Sequence, residues 1–237
     1  MSQIPRLFLS EELAEGALVA LDGGQAHYLA GVLRLRPGDA VHLLDDATGE
    51  WEAKVAEVAR RTLLLRVLAL RRPREIAPDL WLLVAPLKRQ RFEWVIEKAC
   101  ELGVRKIQPV LTRRTVVERL NAGRLRAHMV EAAEQCERTA LPTLGEAEPL
   151  GALLAGWEAG RVLLFADEEG GERMADVAPL RCPAAILIGP EGGFDAAERA
   201  SILRLPDCRR LSLGPNILRA DTAAVAAIAQ FQALAGL

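Results

Sequence analysis

The chain has 237 residues, 51% of them hydrophobic and 26% charged, with a formal net charge of −2. That supplies apolar side chains for one large core or two small ones, and the near-neutral balance excludes a generic polyanion binder. No run approaches the ~20 apolar residues of a membrane span, the first residues carry no signal-peptide pattern, and neither the scattered cysteines nor the histidines have ligand or disulfide spacing. A cytoplasmic protein with no membrane and no metal is therefore expected.

Taken in order, the first seventy residues read mainly as β. Arg6 to Leu9 is a short strand, and Ala26 to Arg34 a short helix. Pro37-Gly38-Asp39 is a turn signal before the strand Ala40 to Leu44. Asp45 to Glu50 reads as a hairpin loop, and Trp51 to Val58 and Thr62 to Leu68 as two more strands. Several short strands with tight turns suggest a small barrel. The stretch Arg71 to Asp79, with two prolines and several charges, reads as a linker.

Beyond it the pattern alternates strand and helix. Leu80 to Ala85 is a continuous apolar strand; Phe92, Val95, Ile96 and Ala99 recur at helical spacing, and Gly103 ends that helix. Lys106 to Leu111, Val162 to Ala166, Ala184 to Ile188 and Leu211 to Leu213 are further strands. Helices are expected over Arg124 to Ala140, after Asp195 with Glu198 completing a capping box, and over Thr222 to Leu234. Alternation of this kind argues for a mostly parallel sheet covered on both faces.

Two glycine-proline turns stand out. Gly189-Pro190-Glu191-Gly192-Gly193-Phe194 follows one buried strand, and Leu213-Gly214-Pro215-Asn216-Ile217-Leu218-Arg219-Ala220-Asp221-Thr222 leads into the last helix. Ligands collect at the carboxyl ends of strands in α/β folds, so the two turns predict one pocket built largely from backbone. The first is neither a Walker loop nor a dinucleotide fingerprint. Asp221 is expected to cap the final helix, whereas Arg219 opposes the helix dipole there and calls for a partner: Asp221, Glu191 or a bound anion. Lys88 and Arg91 follow the strand Leu80 to Ala85 and share that sheet edge, where a cation suits an RNA phosphate. On the helix Arg124 to Ala140, Glu131, Glu134, Gln135 and Arg138 form a polar stripe that faces either solvent or a substrate cleft. In the first part, His27, Arg34 and Arg36 add cations of the kind small RNA-binding barrels expose.

Together His27 to Asp39, Lys88 to Gly103, Glu134-Gln135 with Arg138 and Pro142, Ile188 to Phe194 and Leu213 to Thr222 resemble the ribosomal RNA small subunit methyltransferase E family, in the SPOUT class of RNA methyltransferases. The resemblance covers nearly the whole chain. It implies an α/β protein with a PUA-like small β-barrel (residues 1–72) that binds RNA and a SPOUT methyltransferase domain (73–237) with a mostly parallel sheet and a deep trefoil knot. It implies a homodimer, S-adenosylmethionine as donor, and N3 of one uridine in 16S ribosomal RNA, free or in the small ribosomal subunit, as acceptor.

Carried onto this chain, the donor contacts are Leu164 and Phe165; Ile188, Gly189, Pro190, Glu191, Gly192 and Gly193; and Ser212, Leu213, Gly214, Asn216, Ile217 and Leu218. RNA contacts are expected from His27, Arg34, Lys88, Arg91 and Gln135. The chain departs from the family pattern at Asn216, where arginine is expected, and at Asp221, where glutamate is. Uridine N3 must lose a proton to become nucleophilic, and a nearby arginine favours the anion; Arg138 and Arg219 are the candidate catalytic residues. The competing reading is a non-catalytic RNA-binding or ribosome-assembly factor with the same fold. A Rossmann-type methyltransferase fits poorly, because Leu80 to Ala85 leads into Pro86-Leu87-Lys88-Arg89 rather than a glycine-rich loop.

Overall fold

The computed structural model describes residues 4–117, 119–177 and 180–236. They form two units: residues up to Ile76 together with Ala133–Leu141, and Ala77–Ala132 together with Pro142 onward.

Short strands separated by turns open the first unit: β1 (Arg6–Leu9), β2 (Leu18–Leu21), a helical segment α1 (Gly23–Ala26), β3 (Ala40–Asp45), β4 (Gly49–Val58) and β5 (Leu63–Pro73). They make one five-stranded sheet in the order β1-β3-β4-β5-β2, antiparallel except for the β1–β3 pair. Period-two alternation decides which side is core. In β4, Trp51, Ala53 and Val55 turn inward while Glu52 and Lys54 turn out, and Leu43, Leu63, Leu65 and Leu29 join the same core. The expected helix from Ala26 begins earlier, at Gly23, and continues as a π-helical turn over His27–Val32. The linker expected from Arg71 also begins later, because β5 runs on through Pro73.

One carboxylate organises this unit. Glu50, fully buried, accepts from Arg6 Nε (3.1 Å), Arg72 Nε (2.6 Å) and the Arg71 guanidinium. The segment 133–141 is bound into the unit by comparable contacts. The Phe8 amide donates to Glu134 (2.7 Å), Arg6 pairs with Glu137 (3.0 Å), Arg72 donates to the Glu137 carbonyl (2.9 Å), and the Leu141 amide donates to Asp46 (3.0 Å).

The second unit holds β6 (Leu80–Val84), α2 (Arg89–Glu101), β7 (Lys106–Leu111), most of α3 (Ala122–Cys136), β8 (Thr143–Leu144), β9 (Glu148–Pro149), α4 (Leu150–Ala155), β10 (Val162–Ala166), β11 (Glu172–Arg173), β12 (Ala184–Ile188), α5 (Ala196–Ile202), β13 (Cys208–Ser212) and α6 (Ala220–Ala235). Its sheet runs β11-β13-β10-β12-β6-β7-β8, and every pairing is parallel. Unbroken apolar runs are what a sheet covered on both faces demands; all five residues of β12 are buried. The helix expected from Arg124 to Ala140 stops at Cys136, because Glu137 takes a left-handed φ of 65° that a continuing helix does not accommodate. Asp195 and Glu198 form the anticipated capping box on α5. Near the amino ends of the strands, buried Arg161 pairs with Asp79 (3.0 Å) and Glu158 (2.9 Å) and stacks on Trp81 at 3.8 Å. No helix among the described residues is long and apolar enough to cross a membrane.

Burial alone would raise the Glu50 carboxyl, but Arg72, Arg71 and Arg6 outweigh it and hold it below the usual glutamate range. A carboxylate with a depressed folded-state pKa stabilises the fold above its unfolded value and gives that stability up as pH falls through the folded one. Glu50→Gln should therefore cost about 1.5–3 kcal/mol near neutrality, since Arg6, Arg71 and Arg72, none of them fully buried, lose their charged acceptor. Its stability should also fall less steeply than that of the parent as the pH drops below about 5. Urea unfolding across that range checks both; a variant as stable as the parent at neutral pH would remove Glu50 from its central place.

Candidate functional site

Because every strand of the second sheet points the same way, the loops after β6, β10, β12 and β13 emerge at one edge. They enclose a cavity of about 820 Å³. Its walls are Lys88 and Arg91 from the start of α2, Phe165 to Gly170 after β10, most of Ile188 to Phe194 after β12, and Leu211 to Ala220 between β13 and α6.

The loop after β12 is a tight turn, with the Gly193 amide donating to the Pro190 carbonyl at 2.9 Å. Two of its glycines are required by what surrounds them. A Cβ on Gly189 would sit 2.6 Å from the Phe194 ring, and that ring is fixed edge-on to Phe165 with centroids 5.3 Å apart. Gly193 has φ +68°, and a Cβ there would fall on the Glu168 carboxylate. Neighbouring loops brace the turn from outside. Arg114 donates to the Gly192 carbonyl (2.5 Å), the Arg113 amide donates to Glu198 (2.7 Å), and the Arg113 side chain pairs with Asp195 (3.1 Å).

Arg91 ties three elements together from α2: its Nη1 donates to Asp221 at 2.9 Å, and its Nε lies 3.9 Å from Glu191. Of the three partners open to Arg219, Asp221 and Glu191 thus face Arg91, and a bound anion is the one left. Asp221 does not cap α6 either. Arg219 is the N-cap residue, without a side-chain cap bond, and Asp221 sits in the first turn, where the dipole favours it as well. Arg219 and Lys88 are exposed in the cavity wall, and neither has a side-chain partner among the described residues.

The third corner is Asp167. It is buried, and its carboxylate accepts from Arg199 (2.9 Å) and Arg210 (2.8 Å). Burial pushes its carboxyl up, but Arg199, the Glu169 amide and Arg210 outweigh that and hold it below the usual aspartate range. The loop after β10 is therefore pinned to α5 and β13. In the sequence, the acidic loop Asp167 to Gly171 is marked only by its place directly after the strand Val162 to Ala166, at a carboxyl edge. Burial pushes the Cys208 thiol up to about 11, which works against the thiolate form.

The structure brings most of the sequence-selected residues together. Phe165, Ile188, Gly189, Pro190, Glu191, Gly193, Ser212, Leu213, Gly214, Asn216, Ile217 and Leu218 line the cavity with Lys88, Arg91 and Arg219. Leu164 and Gly192 do not line it: strand alternation turns Leu164 to the other face, toward Val162 and Phe231, and Gly192 turns its carbonyl to Arg114. Arg138 is not among the lining residues. It is buried in the first unit and donates to Glu75 Oε1 at 2.7 Å. Of the expected polar stripe, then, Glu134 on α3 and Arg138 beyond its end face neither open solvent nor this cavity, while Gln135 is exposed. His27 and Arg34 are exposed in the first unit, Arg34 with a left-handed φ of 58°.

Comparison with known proteins places this geometry. A family model described as an RNA methyltransferase domain matches residues 74–232, and one described as an RNA methyltransferase PUA domain matches residues 21–68. The ribosomal RNA small subunit methyltransferase E of Rickettsia conorii is 31% identical, across 97% of this chain and 95% of that protein. The chain belongs to that family. Its Synechocystis relative is 34% identical over 97% of this chain and 77% of that protein. The crystal structure of the Neisseria gonorrhoeae member, bound to S-adenosyl methionine, matches with a TM-score of 0.88 at 25% identity, covering 98% of each chain. As a member of the family, the chain pairs a PUA domain with a SPOUT methyltransferase domain.

Gly189→Ala should drive Phe194 off Phe165 and destabilise the fold by about 1–3 kcal/mol. Urea unfolding measures this, and an unchanged midpoint would contradict the close packing described for the turn.

Proposed function

We propose that this protein transfers a methyl group from S-adenosylmethionine to N3 of one uridine in 16S ribosomal RNA. The observation that carries the reading is the convergence of two glycine-proline loops on one cavity whose wall also holds the unpartnered cations Arg219 and Lys88. Family membership supports the reaction class.

The residues present fit the donor. A cavity of about 820 Å³ is of the size that encloses a cofactor-scale ligand. Ile188, Leu213 and Leu218 offer apolar surface to a purine, and the bare backbone at Gly189 and Gly193 allows close approach. When bound, S-adenosylmethionine supplies an electrophilic methyl group on a cationic sulfur.

The chain's own contribution is to hold the acceptor and ease its deprotonation. Each unit by which the pKa of N3 exceeds ambient pH costs about 1.4 kcal/mol. Arg219 offsets part of that cost by stabilising the anion, and Lys88 suits a neighbouring phosphate. Arg138, buried on Glu75, acts in this reading as an architectural residue of the first unit. His27, Arg34 and Gln135, exposed on that unit, are proposed RNA contacts, and a homodimer with a knotted second unit is the proposed assembly. A cofactor-sized cavity beside Arg219 favours catalysis over a scaffold, which needs cations for RNA but no such cavity.

Mass spectrometry of ribosomal RNA from a deletion strain tests the target: one methyluridine should vanish and return with the gene. Under single turnover, Arg219→Ala should slow methylation by about 10²–10³ with donor affinity held to about twofold. Arg138→Ala should lower thermal stability while leaving the rate of the folded protein within about threefold. An unchanged rate for Arg219→Ala would sink its assignment.

A further inference from the structure

Four carboxylates stand in the cavity wall, and three of them are spoken for. Asp167 is held by Arg199 and Arg210, Glu169 by Arg199 at 3.1 Å, and Glu191 lies 3.9 Å from Arg91. Glu168 has neither an ion pair nor a hydrogen bond from its side chain among the described residues. Its carboxylate rests against Gly193, where any Cβ would collide with it. The left-handed glycine of the turn thus clears the space that this carboxylate occupies.

The strand order separates this charge from the cations. Glu168 follows β10 and Lys88 follows β6, on opposite sides of β12. Neighbouring strands are about 4.8 Å apart, so the two strand ends are separated by about 10 Å. Arg219 lies on the Lys88 side, because Asp221, two residues on, is bonded to Arg91 of α2. The cavity is therefore polarised across its width, negative beside β10 and positive beside α2.

We propose that Glu168 supplies the counter-charge for a cation of the methyl donor, and so makes the cavity prefer a positively charged ligand to a neutral one. This rests on the donor-site reading above. The donor carries two cations, the sulfonium and the α-ammonium, and either meets the same chemistry. With the donor's positive centre on the β10 side, Lys88 and Arg219 are left to the anionic acceptor. Like charges are kept from each other, which is how a site rejects the wrong orientation.

The test is isothermal titration of the full-length protein, its Glu168→Gln variant and its Glu168→Asp variant. The ligands are S-adenosylmethionine, S-adenosylhomocysteine, and methylthioadenosine, which carries neither cation. Glu168 is exposed, so the variants should fold, and their melting curves verify it. Glu168→Gln should weaken S-adenosylmethionine by about tenfold, the size of one charge-assisted contact. It should leave methylthioadenosine within about twofold, and Glu168→Asp should recover most of the loss. S-adenosylhomocysteine identifies the cation: an equal loss assigns the ammonium, an unchanged affinity the sulfonium. Equal weakening of all three ligands, or of none, overturns the proposal. Failure of the parent protein to bind S-adenosylmethionine would instead overturn the donor-site reading, and this inference with it.

Discussion

The parallel direction of the second sheet is the constraint on which everything else depends. Four loops meet at one edge only because β6, β10, β12 and β13 all end there. A parallel pair cannot be closed by a two-residue hairpin and needs a long crossover, so helices or long loops join the strands that pair. The central strands β6 and β12 are accordingly apolar and largely buried, whereas β13 keeps Arg209 exposed. The arrangement that makes β12 wholly buried is thus the same one that delivers glycine-rich turns to a common cavity.

A second theme is how the chain allots its arginines. Most of those discussed hold a carboxylate: Arg6, Arg71 and Arg72 on Glu50, Arg138 on Glu75, Arg161 on Asp79 and Glu158, Arg199 and Arg210 on Asp167. Planar, always charged guanidinium groups suit such shared positions. Once these are assigned, Arg219 and Lys88 remain as cations in the cavity wall without a side-chain partner among the described residues. A residue type that looks functional by composition is here mostly architectural, and only geometry separates the two uses.

That distinction marks the limit of what the sequence discloses. The strand-helix alternation, the capping box at Asp195 and the two glycine-proline turns were legible because each is a local pattern with a local physical cause. The polar stripe on α3 was legible as a stripe, but not in its destination. Glu134 and Arg138 would share a face only if the helix continued, and what they meet, the Phe8 amide and Glu75, lies far off in sequence. The early end of α3 was hidden for a related reason: nothing in the residue type of Glu137 announces a left-handed backbone. Arg91 and Asp221, 130 residues apart, were each singled out, yet their pairing was not, and so two of the three partners left open for Arg219 are ones that Arg91 faces.

The segment 133–141 continues α3 by covalent bond but belongs to the first unit by its contacts. Shuffling domains between relatives normally assumes that each one is a single stretch of chain. Here the first unit is sewn from two stretches, so splicing after β5 would sever it from the pieces that satisfy Phe8 and Arg6. A transplant that respects the fold would have to carry both stretches, which ties the inheritance of the two units together.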